Sequence, residues 1–89
     1  FELEKEFGNI IFLATTELNQ KPSVVLLISK TLIKEFQLDA RMIIKDLSKH
    51  IEGSGGGQDF LSTAGGKKIE GLKSVLAEGQ SYFNKVLNN

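Results

Sequence analysis

Gly53-Ser54-Gly55-Gly56-Gly57-Gln58-Asp59-Phe60-Leu61-Ser62-Thr63-Ala64-Gly65-Gly66 is the stretch on which the fold turns. Its opening run, Gly53 to Gly57, is nearly all glycine, a composition that predicts a loop and no regular element. Residues 59–64 then form a short β-compatible segment, and Gly65-Gly66 ends it. A strand squeezed between a glycine loop and a glycine pair must find its partners elsewhere in the chain.

Those partners lie upstream. Ile10-Ile11-Phe12-Leu13-Ala14-Thr15-Thr16 and Val24-Val25-Leu26-Leu27-Ile28 are β-rich runs, and Asn19-Gln20-Lys21-Pro22-Ser23 between them has turn composition. They predict a β-hairpin over 10–17 and 23–29. Both runs are apolar without strict alternation, so both faces of the sheet are expected to be covered. Residues 1–7 fit a strand or the last turns of a helix; Leu3 and Phe7 at i, i+4 favour the helix, stopped by Gly8.

The covering layers are also legible. Ser29 or Thr31 can cap a helix over 31–51. Phe36, Ala40, Ile43, Ile44, Leu47 and Ile51 recur on one helical stripe, with a break at Gln37-Leu38. After the glycine pair, residues 68–87 predict a final amphipathic helix with Ile69, Leu72, Val75, Leu76, Phe83, Val86 and Leu87 inward. Gly79 falls on that same stripe, where it would admit close approach of another element. The expected fold is therefore α+β: a small mixed sheet of about three strands, containing a hairpin, covered by two main helices.

Composition bounds the chemistry. The 89 residues make one small domain, with 40% hydrophobic and 25% charged residues. The chain opens on Phe1, which reads as a fragment of a longer polypeptide: residues 1–7 as the tail of a preceding helix, 8–89 as the domain. There is no cysteine and one histidine, His50, so neither a disulfide framework nor a zinc site is expected. No apolar run approaches membrane-spanning length, and no membrane partner is expected. Eleven basic and eleven acidic residues cancel. A nucleic-acid binder is usually basic, so any RNA role needs a local patch and help from other domains.

Few residues could carry chemistry. Ser54, Ser62 and Thr63 have no base besides His50, so nucleophilic catalysis has no support. The glycines follow a helix and precede a strand, the reverse of a nucleotide-binding loop, and Gly66-Lys67-Lys68 lacks its hydroxyl. Two readings of the glycine run stay open: a flexible surface turn, or a bare backbone that lets a ligand come close. The stripe Lys34, Arg41, Lys45 and Lys49 reads first as a solvated helix face. Lys67-Lys68 is sharper, because cations are unfavourable at a helix N-terminus and a polyanion would compensate them.

The run from Gly55 to Gly66 resembles the glycine motif in the C-terminal, DHH-associated domain of alanyl-tRNA synthetases: three glycines, a polar residue, a short segment, then Ala-Gly-Gly and a helix. The hairpin and the helix over 40–51 fall in the family's order, so the resemblance covers nearly the whole chain. Related phosphoesterases and exonucleases place a histidine after the glycines, where this chain has Gln58. Many synthetases place arginine and proline there; with Gln58 and Asp59 instead, an arginine contact does not carry over.

The resemblance implies a non-catalytic domain that holds the outer corner of the tRNA for alanine and supports aminoacylation and editing by the other domains of one cytoplasmic enzyme. It implies no cofactor here; ATP with magnesium, and zinc, belong to the parent ligase. The residues expected to meet tRNA are Gly53, Ser54, Gly55, Gly56, Gly57 and Gln58, with Lys67, Lys68, Lys30 and Lys49 nearby. The alternative is the substrate-binding domain of a DHH-type phosphoesterase or exonuclease. A homodimerisation role is a third reading, resting on small size, zero net charge and the amphipathic last helix.

Overall fold

The computed structural model describes residues 2–6 and 9–87. Its strands are β1 (Glu2–Glu6), β2 (Asn9–Leu18), β3 (Lys21–Ile28), β4 (Ser54–Gly57) and β5 (Leu61–Gly65). Its helices are α1 (Lys30–Phe36), α2 (Ala40–Leu47) and α3 (Leu72–Leu87). Short 3₁₀ turns, Ser48–Ile51 and Ile69–Gly71, extend α2 and precede α3. The strands form one sheet in the order β1-β2-β3-β5-β4.

The fold is α+β, as the sequence predicts, but the sheet is larger. It has five strands rather than about three, and every pairing is antiparallel rather than mixed. Two corrections account for the extra strands. Glu2–Glu6 is an edge strand paired with β2, not the tail of a helix; Phe1, Phe7 and the expected stop at Gly8 lie outside the described residues. The glycine run is not a loop. Ser54–Gly57 is a strand paired with β5, Ser54 opposite Gly65 and Gly57 opposite Ser62. Backbone hydrogen bonding to a neighbouring strand is enough to extend a segment that has no side-chain preference of its own.

The hairpin forms where expected, with a tighter turn. Asn19 and Gln20 have φ of 54° and 64°, the left-handed pair that matches strand twist in a two-residue hairpin. Leu18 then pairs with Lys21, and Pro22 sits second in β3, where a missing N–H is tolerated. The break at Gln37-Leu38 is present: Gln37 is left-handed at φ 56° and caps α1, and Asp39 starts α2 by accepting the Arg41 N–H. Ser29 precedes α1 but its hydroxyl does not cap it. The oxygen accepts from the Ile10 N–H at 2.7 Å and donates to the Ile10 carbonyl at 3.0 Å, pinning β2 to the end of β3.

The core lies on one face of the sheet. Ile11 and Leu13 of β2, Val24, Leu26 and Ile28 of β3 and Ala64 of β5 pack with Ile43, Ile44, Leu47 and Ile51, and with Val75 and Phe83 of α3. Gly79 is buried, and a Cβ built there would come 2.4 Å from Leu13 Cδ2, so the glycine lets α3 lie against β2. Among the described residues nothing covers the other face, against expectation. Phe12, Leu27 and Leu61, neighbours across β2, β3 and β5, remain 37%, 36% and 40% exposed.

Candidate nucleic-acid interface

The glycine strand is an edge strand. Among the described residues β4 pairs with β5 alone, so the far side of its backbone is not taken by the sheet. The glycines within it differ. Gly55 stands opposite Ala64, and a Cβ there would fall 2.2 Å from the Thr63 carbonyl oxygen and 2.6 Å from the Ala64 Cβ. Gly56 stands opposite Thr63, and a Cβ there would meet nothing within 4 Å. Gly55 is thus required by packing, whereas Gly56 is bare without any internal steric reason.

The turn that returns β4 to β5 is tightly bonded. The Gln58 N–H donates to the Leu61 carbonyl at 2.8 Å, and the Gln58 carbonyl accepts from the Ser62 hydroxyl at 2.8 Å. Gly56, Gly57 and Gln58 line a shallow hollow with Phe60, Leu61 and Thr63. At the other end of β4, an open hollow of about 710 Å³ is lined by Lys21, Glu52, Gly53, Ser54, Gly65, Gly66 and Lys67.

The structure brings Lys67 to the glycine run. The N–H groups of Lys67 and Lys68 both donate to the Ile51 carbonyl, at 2.8 and 2.9 Å, which clamps the lysine pair against the chain just before Gly53. Both side chains are exposed. Lys21, which sequence reasoning passed over, lines the same hollow. Its signal is the strand order, not any local motif: β5 inserts between β3 and β4, so the start of β3 comes beside Gly65 and Ser54.

Lys30 and Lys49 lie apart from that hollow. Lys49 faces Asp46 one turn back, Nζ to Oδ1 3.7 Å, on an exposed surface. Lys30 sits near the opposite end of the glycine strand, its Nζ 5.0 Å from the centroid of the Phe60 ring. His50 is engaged by Glu78 of α3 rather than by any prospective substrate site. Among the described residues no three His, Asp or Glu side chains converge as metal ligands would. The hydrogen bond from the Arg41 guanidinium holds the Asp39 carboxyl below its usual range, and the same contact raises Arg41; this pair belongs to the start of α2.

No family model matches the chain. Among curated proteins it is 36% identical over 83 residues to an alanine–tRNA ligase of Cytophaga hutchinsonii, covering 93% of this chain and 10% of that protein. It is 44% identical over 77 residues to the enzyme of Parabacteroides distasonis, covering 85% and 9%. The chain thus spans about a tenth of the length of the curated relatives it matches. In fold it is similar to the C-Ala domain of the Aquifex aeolicus alanyl-tRNA synthetase, with a TM-score of 0.70 at 20% identity, over 89% of this chain and 66% of that one. The resemblance to the C-terminal, glycine-motif domain of alanyl-tRNA synthetases therefore stands on sequence and on fold together.

Proposed function

We propose that this domain is a non-catalytic tRNA-binding element of an ATP-dependent alanine–tRNA ligase. It grips the outer corner of the tRNA, and through that grip serves aminoacylation and editing carried out by the enzyme's other domains. The carrying observation is Gly56: a glycine on an edge strand with open space where a side chain would stand. Glycine in a strand costs backbone entropy, which a bare surface for close approach offsets. Lys67 and Lys21 flank the start of the same strand and supply local positive charge in a chain whose net charge is zero. RNA helices are read by shape and by ribose and phosphate contacts, which such a surface suits. Affinity of the domain alone is modest, and tethering to other tRNA-binding domains raises it. The curated relatives named above are ligases, which favours this reading over a phosphoesterase domain.

The test is a filter-binding titration with tRNA for alanine at several salt concentrations. Gly56→Val weakens binding by steric exclusion while circular dichroism stays that of the parent. Lys67→Ala with Lys68→Ala weakens it less, and flattens the salt slope by about one unit per lost phosphate contact. A folded Gly56→Val chain that binds like the parent would reduce the glycine strand to a structural edge.

A further inference from the structure

Phe60 occupies an unusual position for an aromatic residue outside the core. It is half-buried, lies between β4 and β5 in sequence, and lines two hollows at once. One is the glycine hollow with Gly56, Gly57 and Gln58. The other is lined by Lys30, Ile33, Lys34 and Asp59. The backbone beneath the ring is fixed on both sides. The Ile28 N–H donates to the Phe60 carbonyl at 2.8 Å, and the Ala40 N–H donates to the Asp59 carbonyl at 2.8 Å. The ring is therefore presented by the end of β3 and the start of α2 rather than by a free loop.

We infer that Phe60 is a stacking platform for a single unpaired nucleobase, whose phosphate is taken by Lys30 and Lys34. This rests on the RNA-binding reading above and adds to it a subsite and a class of contact. An aromatic face accepts any base, and a neighbouring cation adds to the attraction. Lys30 stands over one face of the ring at 5.0 Å from its centroid, and a base stacking on that face displaces the ammonium toward its own phosphate. Asp59 is the one carboxylate lining that hollow, against two lysines. The hollow between α2 and α3 has the opposite character: Met42 and Tyr82 lie there with Asp46 and Glu78, and its carboxylates would repel a phosphate. Phe60 also lines the hollow of Gly56 and Gly57, so the adjoining nucleotide of the same strand would meet the glycine edge.

The experiment uses the chain with two probes: tRNA for alanine, and a uridine tetranucleotide followed by amide chemical shifts. Phe60→Leu keeps an apolar side chain and removes the ring; it weakens tRNA binding about tenfold with the salt slope unchanged, as loss of one stacked base does. Phe60→Tyr restores it. Lys30→Ala with Lys34→Ala lowers the salt slope by about two units. The tetranucleotide shifts amides at 30–34 and 57–61 in the parent and not in Phe60→Leu. If Gly56→Val impairs tRNA binding while folded Phe60→Leu binds like the parent, the subsite is refuted and the glycine-edge reading survives. If tRNA does not bind but the tetranucleotide still shifts those amides, the stacking subsite stands and the tRNA reading falls. If neither probe responds, both fall.

Discussion

Across β2, β3 and β5 the residues facing α2 and α3 are Ile11, Leu13, Val24, Leu26, Ser62 and Ala64, all buried. One residue along each strand, on the opposite face, stand Phe12, Ala14, Val25, Leu27, Leu61 and Thr63, half-buried or exposed. Composition hardly distinguishes the two sets, since both are dominated by apolar and β-branched residues. What separates them is whether a helix lies on top. The same chemistry is thus core on one side and surface on the other, because two helices of this length cover one face of a five-stranded sheet. Hydrophobic content alone does not tell how many layers a small domain has.

The sharpest way to test that asymmetry is to truncate one phenylalanine on each side. Phe83→Ala, at a fully buried position on the inner face of α3, should cost about 3–5 kcal/mol, a large share of a small domain's stability. Phe12→Ala on the open face should cost about 1 kcal/mol or less, the scale of a cross-strand pair such as Phe12 with Leu27. Urea denaturation of both variants measures the difference. Equal losses would mean that something covers the open face in solution.

The contrast also explains what was legible beforehand. The hairpin, the α1–α2 break, the inward stripe of α2 and the Gly79 contact are all readable, because each is written in side chains: β-rich apolar runs, helical spacing, turn residues. The glycine strand was not, because glycine carries no pattern and β4 is defined by its partner β5. The first strand reads as a helix for a related reason: Leu3 and Phe7 at i, i+4 satisfy a helical template as well as a strand one, and pairing of Glu2–Glu6 with β2 decides. The uncovered face is not legible because continuous apolar runs state what a strand offers, not what lies on it. At the candidate site the glycine run and Lys67 are legible as a motif, while strand order and the β4–β5 turn add Lys21 and Phe60 to the hollows, and neither addition is local in sequence.

A second pair of substitutions carries the two-face comparison down to the backbone. Gly55→Val should cost about 1–3 kcal/mol, because its Cβ would lie 2.2 Å from the Thr63 carbonyl oxygen and no side-chain rotation relieves a clash with backbone. Gly56→Val, one residue on, should change stability by no more than about 0.5 kcal/mol, with nothing within 4 Å of its Cβ. Thermal unfolding of the two variants side by side checks this. Similar losses for both would show that Gly56 is also held by packing, and would remove the argument that its bareness faces a ligand.

The smallest effect expected lies where the covering layer begins. Asp39 starts α2, accepting from the Arg41 N–H at 3.0 Å and from the Arg41 guanidinium at 2.9 Å. The hydrogen bond from that guanidinium, the largest influence, depresses the carboxyl below its ordinary value. A depressed carboxylate stabilises the fold only while ionised: the contribution is full above the unfolded-state pKa of about 3.9 and is lost as pH falls through the lower folded-state value. Asp39→Asn keeps an oxygen able to cap the helix but removes the charge. It should lower the Tm at pH 7 slightly, since both side chains are solvent-accessible and exposed ion pairs contribute little. The gap between parent and variant should then close as pH drops toward 3, and high salt should narrow it at pH 7. Melting curves across that range read it directly. A gap that persists at low pH would show that the asparagine does not reproduce the Asp39 cap on the Arg41 N–H, and α2 would then be placed over the sheet by capping geometry and its buried stripe without help from charge.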